Sequence, residues 1–166
     1  MEKILFETKL AALDDGVIEG IAWPWGSPDR VGDVIEKGAF KGVSLPLPLL
    51  FGHDPNDPVG TWTEADEDDE GLKVKGSLLI EEVARAREVH ALVKAGAVKG
   101  LSVGFQTRKA SPRKGGGRTI TKLDLWEVSL VTFGMHPGAR VTSAKSAIRA
   151  LTLAEALNRA TAQLKG

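Results

Sequence analysis

Leu72-Lys73-Val74-Lys75-Gly76-Ser77-Leu78-Leu79-Ile80 sets Leu72, Val74, Gly76 and Leu78 against Lys73, Lys75 and Ser77. A period of two places those sets on opposite faces of a β-strand, one for a core and one for water. Just upstream, Val59 to Thr63 reads as a second strand. The acidic run Glu64-Ala65-Asp66-Glu67-Asp68-Asp69-Glu70-Gly71 between them reads as a solvated hairpin loop. Further out, Ile4 to Leu13 and Val17 to Trp23 flank Asp14-Asp15-Gly16, where Asp-Gly marks a hairpin turn. Trp23-Pro24-Trp25-Gly26-Ser27-Pro28 is expected to be irregular, because two prolines break any ladder. Leu45 to Leu50 carries Pro46 and Pro48, which predicts an extended segment at an edge or in a loop.

Downstream, strands are expected at Val98 to Thr107 and Thr119 to Phe133. Arg108 to Arg118, with Ser111-Pro112 and three consecutive glycines, reads as a flexible basic loop. It is too short and too poor in aromatics for a nucleic-acid site. One internal helix is predicted: Glu81 and Glu82 suit its start, Gly96 its end, and Ala86, Val89 and Val93 form a helical-period stripe. A second is predicted near the C-terminus, where Thr152 and Glu155 make a capping box and Leu153, Leu157, Ala160 and Leu164 share a face. Many short strands with two helices suggest a small β-barrel or sandwich decorated by helices.

Composition narrows the chemistry. At 166 residues the chain is one domain's worth, and 42% hydrophobic with 27% charged content is globular. Lys plus Arg equals Asp plus Glu at 22 each, so no global field draws in nucleic acid or an anionic membrane. The absence of cysteine excludes disulfides, thiolate zinc sites and a cysteine nucleophile. The start, Met1-Glu2-Lys3-Ile4, is unlike a secretory signal, and no stretch approaches 18 apolar residues; the expectation is a soluble, unsecreted protein.

Three scattered segments carry candidate chemistry: Phe51-Gly52-His53-Asp54, Leu101-Ser102-Val103-Gly104-Phe105 and Trp126-Glu127-Val128-Ser129-Leu130-Val131. They offer a base, a nucleophile and an orienting acid, the roles that acyl transfer by serine needs. Strand alternation puts Leu101, Val103 and Phe105 on one face and Ser102 with Gly104 on the other, with room beside the hydroxyl for a substrate carbonyl. His53 lies in a loop-like Gly-His-Asp-Pro setting; His136 is a second candidate base, and His90 reads as a half-buried packing residue. Glu127 interrupts an apolar strand, and a buried carboxylate requires a partner, either a histidine or a basic side chain. Ser129 shares its strand parity with Glu127, about 7 Å away, and is the rival nucleophile. A metal-dependent hydrolase built on His53, Asp54, Asp57 and Glu127, and a non-catalytic β-rich virion module, are the alternatives.

The ordered set resembles the prohead serine proteases of tailed phages (caudoviruses), capsid maturation proteases similar in fold to herpesvirus assemblins. The similarity runs from about Val17 to Val141. It includes Gly32-Asp33-Val34-Ile35-Glu36-Lys37-Gly38-Ala39-Phe40, Leu49-Leu50-Phe51-Gly52-His53-Asp54, Gly71 to Gly76, Gly96 to Phe105 and Leu125 to Val131. By this resemblance His53, Ser102 and Glu127 are the catalytic residues. One departure is His136-Pro137-Gly138-Ala139, where similar chains often have Pro-Ala-Asn; assemblins use a second histidine, which leaves His136 a claim to the third role. The resemblance implies a mainly β fold with helices (α+β), a small barrel surrounded by helices over 1–144 with an amphipathic helical tail at 145–166. It implies no metal or organic cofactor. The expected setting is the assembling procapsid in the host cytoplasm. The expected partners are the major capsid protein and its scaffold segment, together with self-cleavage and dimerisation.

Overall fold

The computed structural model describes residues 15–142. The alternating segments form β1 (Val17–Pro24), β2 (Val34–Ile35), β3 (Leu47–Phe51), β4 (Pro58–Glu67) and β5 (Gly71–Leu78). They are followed by α1 (Ala84–Lys94), β6 (Gly100–Pro112), β7 (Arg118–Val131) and β8 (Arg140–Val141). The sheet runs β2-β7-β3-β4-β5-β1-β8-β6, and pairing of β6 back onto β7 closes it. Seven strands therefore make a barrel, with β2 added alongside β7. Its inside is filled by Ile18, Leu49, Trp62, Leu72, Leu101, Ile120 and Leu130, all fully buried. Each such side chain contributes roughly 1.5–3 kcal/mol through burial. Trp62 also donates its Nε1–H to the Val128 carbonyl at 2.9 Å, tying β4 to β7 across the core.

α1 packs its predicted stripe, Ala86, Val89 and Val93, against β4 and β5, and all three side chains are fully buried. Its end is closed by the Gly96 N–H on the Val93 carbonyl and the Ala97 N–H on the Leu92 carbonyl. The acidic pair Glu81 and Glu82 precedes the N-cap, Val83, so the first turn holds no acid. Among the described residues α1 is the one helix, which corrects the expectation of a barrel surrounded by helices. The predicted strand Ile4 to Leu13, the tail at 145–166 and its helix lie outside the described residues.

Three local expectations are revised, each because pairing overrode composition. β3 is an interior strand, antiparallel to β4 and parallel to β7; its ladder to β7 begins at Leu49, one residue past Pro48. The acidic run is mostly strand, since Glu64 faces Lys75 and Asp66 faces Lys73 across β4 and β5. Glu67 adds a further tie by accepting N–H bonds from Gly38 and Phe40. Only Asp68 to Glu70 turn, with the Asp68 carboxylate accepting the Glu70 and Gly71 amides. The basic segment continues the β6–β7 ladder to Pro112 opposite Arg118, and the Arg118 guanidinium clasps the buried Asp33 carboxylate.

Candidate active site

β7 organises the site because it has partners on both sides. Ser102 of β6 stands opposite Ser129, Gly104 opposite Glu127, and Leu50 of β3 is aligned with Ser129. Directly opposed residues project to the same face, so Ser102, Glu127 and Ser129 belong to one face of three adjacent strands. β3 ends at Phe51, and the chain reverses at once into β4 through Gly52 and His53, both with positive φ, 65° and 62°. The Asp54 amide returns to the Phe51 carbonyl at 3.2 Å, closing the turn. Two successive positive-φ residues are what a type I′ reversal requires, and histidine is among the side chains that tolerate the left-handed region. The conformation costs about 1–2 kcal/mol at a non-glycine residue.

That cost is offset by two contacts. The His53 amide donates to Ser129 Oγ at 3.0 Å, and His53 Nδ1 lies 2.6 Å from Glu127 Oε1. The carboxylate can only accept, so Nδ1 carries the proton and Nε2 of the neutral ring holds a lone pair. Nε2 has no hydrogen-bond partner among the described residues. The Glu127 hydrogen bond holds the imidazole above its ordinary pKa of 6.5, with partial burial opposing it. The Glu127 side chain is only 13% exposed, so its partner question is answered by a histidine rather than by a lysine or arginine.

His53 and Ser102 line one open cleft of about 580 Å³, with Arg30, Val131, Phe133, Gly134 and Met135 completing its wall. Phe133 is 82% exposed there, an apolar surface beside the serine. Ser102 is itself largely buried, and no hydrogen bond joins its hydroxyl to His53. A catalytic contact of this kind often tightens only when substrate is bound.

The space beside Gly104 is not open to substrate, contrary to the sequence expectation. A Cβ at residue 104 would lie 2.0 Å from Glu127 Oε1, so the missing side chain is replaced by the carboxylate. Gly100 is likewise approached by the Gly134 backbone. Ser129, the rival nucleophile, is fully buried and donates its only hydroxyl proton to Glu127 Oε2 at 2.6 Å.

Of the remaining candidates, His136 lies near Ser102, since both line a second, small cavity of about 30 Å³, but its ring nitrogens are already engaged. His136 is buried with its ring edge-on to Trp23 at 4.7 Å, Nε2 against the Ser27 carbonyl at 3.0 Å and Nδ1 accepting the Gly138 amide at 3.1 Å. Asp54 caps its own turn through the Asn56 amide, and Asp57 pairs with Arg85, whose guanidinium also covers the Phe51 ring. Among the described residues no group of three or more histidines and carboxylates converges as a metal site. His90 is half-buried on α1. No described helix is long and apolar enough to cross a membrane.

A closed β-barrel carries a serine and a histidine in one cleft, with a carboxylate against Nδ1 of the imidazole, and these are the residue types that serine hydrolases use. The chain belongs to the caudovirus prohead serine protease family, whose model matches residues 6–153. It is 38% identical over 148 residues to the capsid polyprotein of Pseudomonas phage PAJU2, covering 83% of this chain and 22% of that one. It is 32% identical to the prohead protease of Enterobacteria phage HK97, over 84% of this chain and 66% of the relative. For the prohead protease of Escherichia phage T5 the values are 30%, 72% and 59%. The chain thus spans from about a fifth to about two thirds of these relatives' lengths. A crystal structure of KSHV protease in complex with a hexapeptide phosphonate inhibitor superposes with a TM-score of 0.48 at 17% identity, over 75% of this chain and 63% of that chain.

Proposed function

We propose that this chain is a serine endopeptidase of procapsid maturation, with Ser102 as nucleophile, His53 as general base and Glu127 as the acid that orients it. The observation that carries the reading is the 2.6 Å His53–Glu127 contact on the rim of the cleft that holds Ser102. In the proposed step Ser102 Oγ bonds to the scissile carbonyl carbon while its proton passes to His53 Nε2. That proton then goes to the departing amine as the C–N bond breaks. Water, deprotonated by the same imidazole, hydrolyses the acyl-enzyme. Negative charge on the carbonyl oxygen is assigned to backbone N–H donors near the serine strand or in the neighbouring loop at Gly134, which lines the cleft.

The proposed substrates are the scaffold or the scaffold-like segment of the major capsid protein, and the chain itself. The proposed place is the interior of the assembling procapsid in the host cytoplasm, with self-association as a dimer. Family membership supports this, as does the likeness to part of a chain named a capsid polyprotein. The test is co-expression of wild type and Ser102→Ala with the capsid protein, followed by mass spectrometry of the fragments. Specific cleavage by wild type and its loss in Ser102→Ala is the expected result. Cleavage retained in Ser102→Ala overturns the nucleophile assignment, and an unprocessed capsid protein with active wild type overturns the substrate.

A further inference from the structure

We propose that Ser129 is a positioning residue that sets the His53–Glu127 pair, through one hydroxyl bonded to both members at once. The inference rests on the serine peptidase reading above. Ser129 lies on β7 between Leu50 of β3 and Ser102 of β6, fully buried. Its hydroxyl has one proton and two lone pairs. The proton goes to Glu127 Oε2 at 2.6 Å, and a lone pair receives the His53 amide at 3.0 Å. The other carboxylate oxygen takes His53 Nδ1 at 2.6 Å.

These contacts close a ring: His53 amide, Ser129 hydroxyl, Glu127 carboxylate, His53 imidazole. The backbone and the side chain of one histidine are fixed by the same short relay. Gly104 forms the opposite wall, since any Cβ there would strike Glu127 Oε1. Between that wall and the two donors the carboxylate is held at both oxygens, Oε2 by Ser129 and Oε1 by His53 Nδ1, which leaves Nε2 as the ring nitrogen not engaged by it. Without the hydroxyl, Oε2 and the His53 amide both lose their buried partner, and the left-handed turn at His53 loses its anchor.

The experiment compares wild type, Ser129→Ala, Ser129→Cys and Ser102→Ala as full chains. One readout is the pH dependence of labelling by a fluorophosphonate, in which the serine oxygen displaces fluoride at phosphorus. The other is NMR titration of the His53 ring, which needs no turnover. In Ser129→Ala the labelling rate should fall roughly 10- to 100-fold with probe affinity unchanged, because a small misplacement of a reacting group has that effect. The His53 pKa should fall from its raised position toward the ordinary value, and the acid limb of labelling with it. Ser129→Cys, a weak donor of similar size, should lie between, and it carries the test if the alanine variant does not fold.

A wild-type rate per folded molecule with an unmoved titration makes Ser129 mere packing and overturns the inference. So does a His53 pKa that rises, since the pair would then have kept its geometry. The control separates the two levels. Label persisting on Ser102→Ala sinks the assignment of Ser102 as nucleophile on which the inference rests, whereas label lost there but unchanged in both Ser129 variants sinks only the positioning role.

Discussion

His53 and His136 both lie just beyond the end of a strand, yet their imidazoles live under opposite conditions. The His53 side chain is 43% exposed, gives Nδ1–H to a carboxylate and keeps Nε2 unpartnered among the described residues. His136 is 3% exposed, with Nε2 on the Ser27 carbonyl and Nδ1 on the Gly138 amide, so its ring cross-links two loops. The difference does not lie in the residue or in its loop setting. It lies in what occupies each nitrogen. A carboxylate on one side raises basicity and leaves the other side available, whereas backbone groups on both sides consume the ring as structure.

The comparison can be broken most directly by removing each ring. On the proposed mechanism His53→Ala loses the base, and turnover of the capsid substrate should fall on the order of 10⁴-fold or more. Fragment mass spectrometry over a time course reads this, and near-normal cleavage would leave the contrast without meaning. Glu127→Gln should lower turnover by about 10²–10⁴-fold, since a correctly shaped but uncharged partner no longer supports the imidazolium. Its pH profile carries the sign. Protonated His53 cannot accept a proton, so activity should rise with pH through a pKa held above 6.5 by Glu127. Removing the carboxylate charge lowers that pKa, so the acid limb should move to lower pH even as the plateau drops.

Gly104→Ala sharpens the same contrast without touching any proposed reacting group. Its Cβ collides with Glu127 Oε1 and should displace the carboxylate, costing roughly 10- to 100-fold in turnover. The effect should appear in kcat rather than KM, and a silent Gly104→Ala would show that the carboxylate can relocate. The smallest effect on turnover is expected for His136→Ala, within a few-fold of wild type. That variant should instead lose about 2–3 kcal/mol of stability, from a vacated core position and unpaired Ser27 and Gly138 groups. Denaturant unfolding measures that loss. Collapse of turnover in a folded His136→Ala protein would restore its claim to a catalytic role.

Period and punctuation made much of the barrel readable. Leu72 to Leu78 alternates in the structure as in the sequence, and the Ala86, Val89 and Val93 stripe is the buried face of α1. What was not readable depends on partners distant in the chain. Pro46 and Pro48 argued for an edge, yet β3 lies between β4 and β7. Glu64 and Asp66 looked like loop residues because the lysines opposite them are set by register, which composition does not encode. At the site, His53, Ser102 and Glu127 stood out as residue types in unusual settings. The function of Gly104 did not, because an absent side chain announces space without naming its occupant. Ser129 was visible only as a rival nucleophile. One of its two hydrogen bonds is local, to Glu127, but the other comes from a turn 76 residues away in sequence.

The pairing of Ser102 with Ser129 and of Gly104 with Glu127 makes the hairpin of β6 and β7 its own proofreader. A slip of one residue between these strands would turn Ser102 to the opposite face from the glutamate and thrust a neighbouring side chain at the carboxylate. A chain that mispairs during folding is thereby disarmed, and the three groups can meet only in molecules whose longest ladder has zipped in the correct frame.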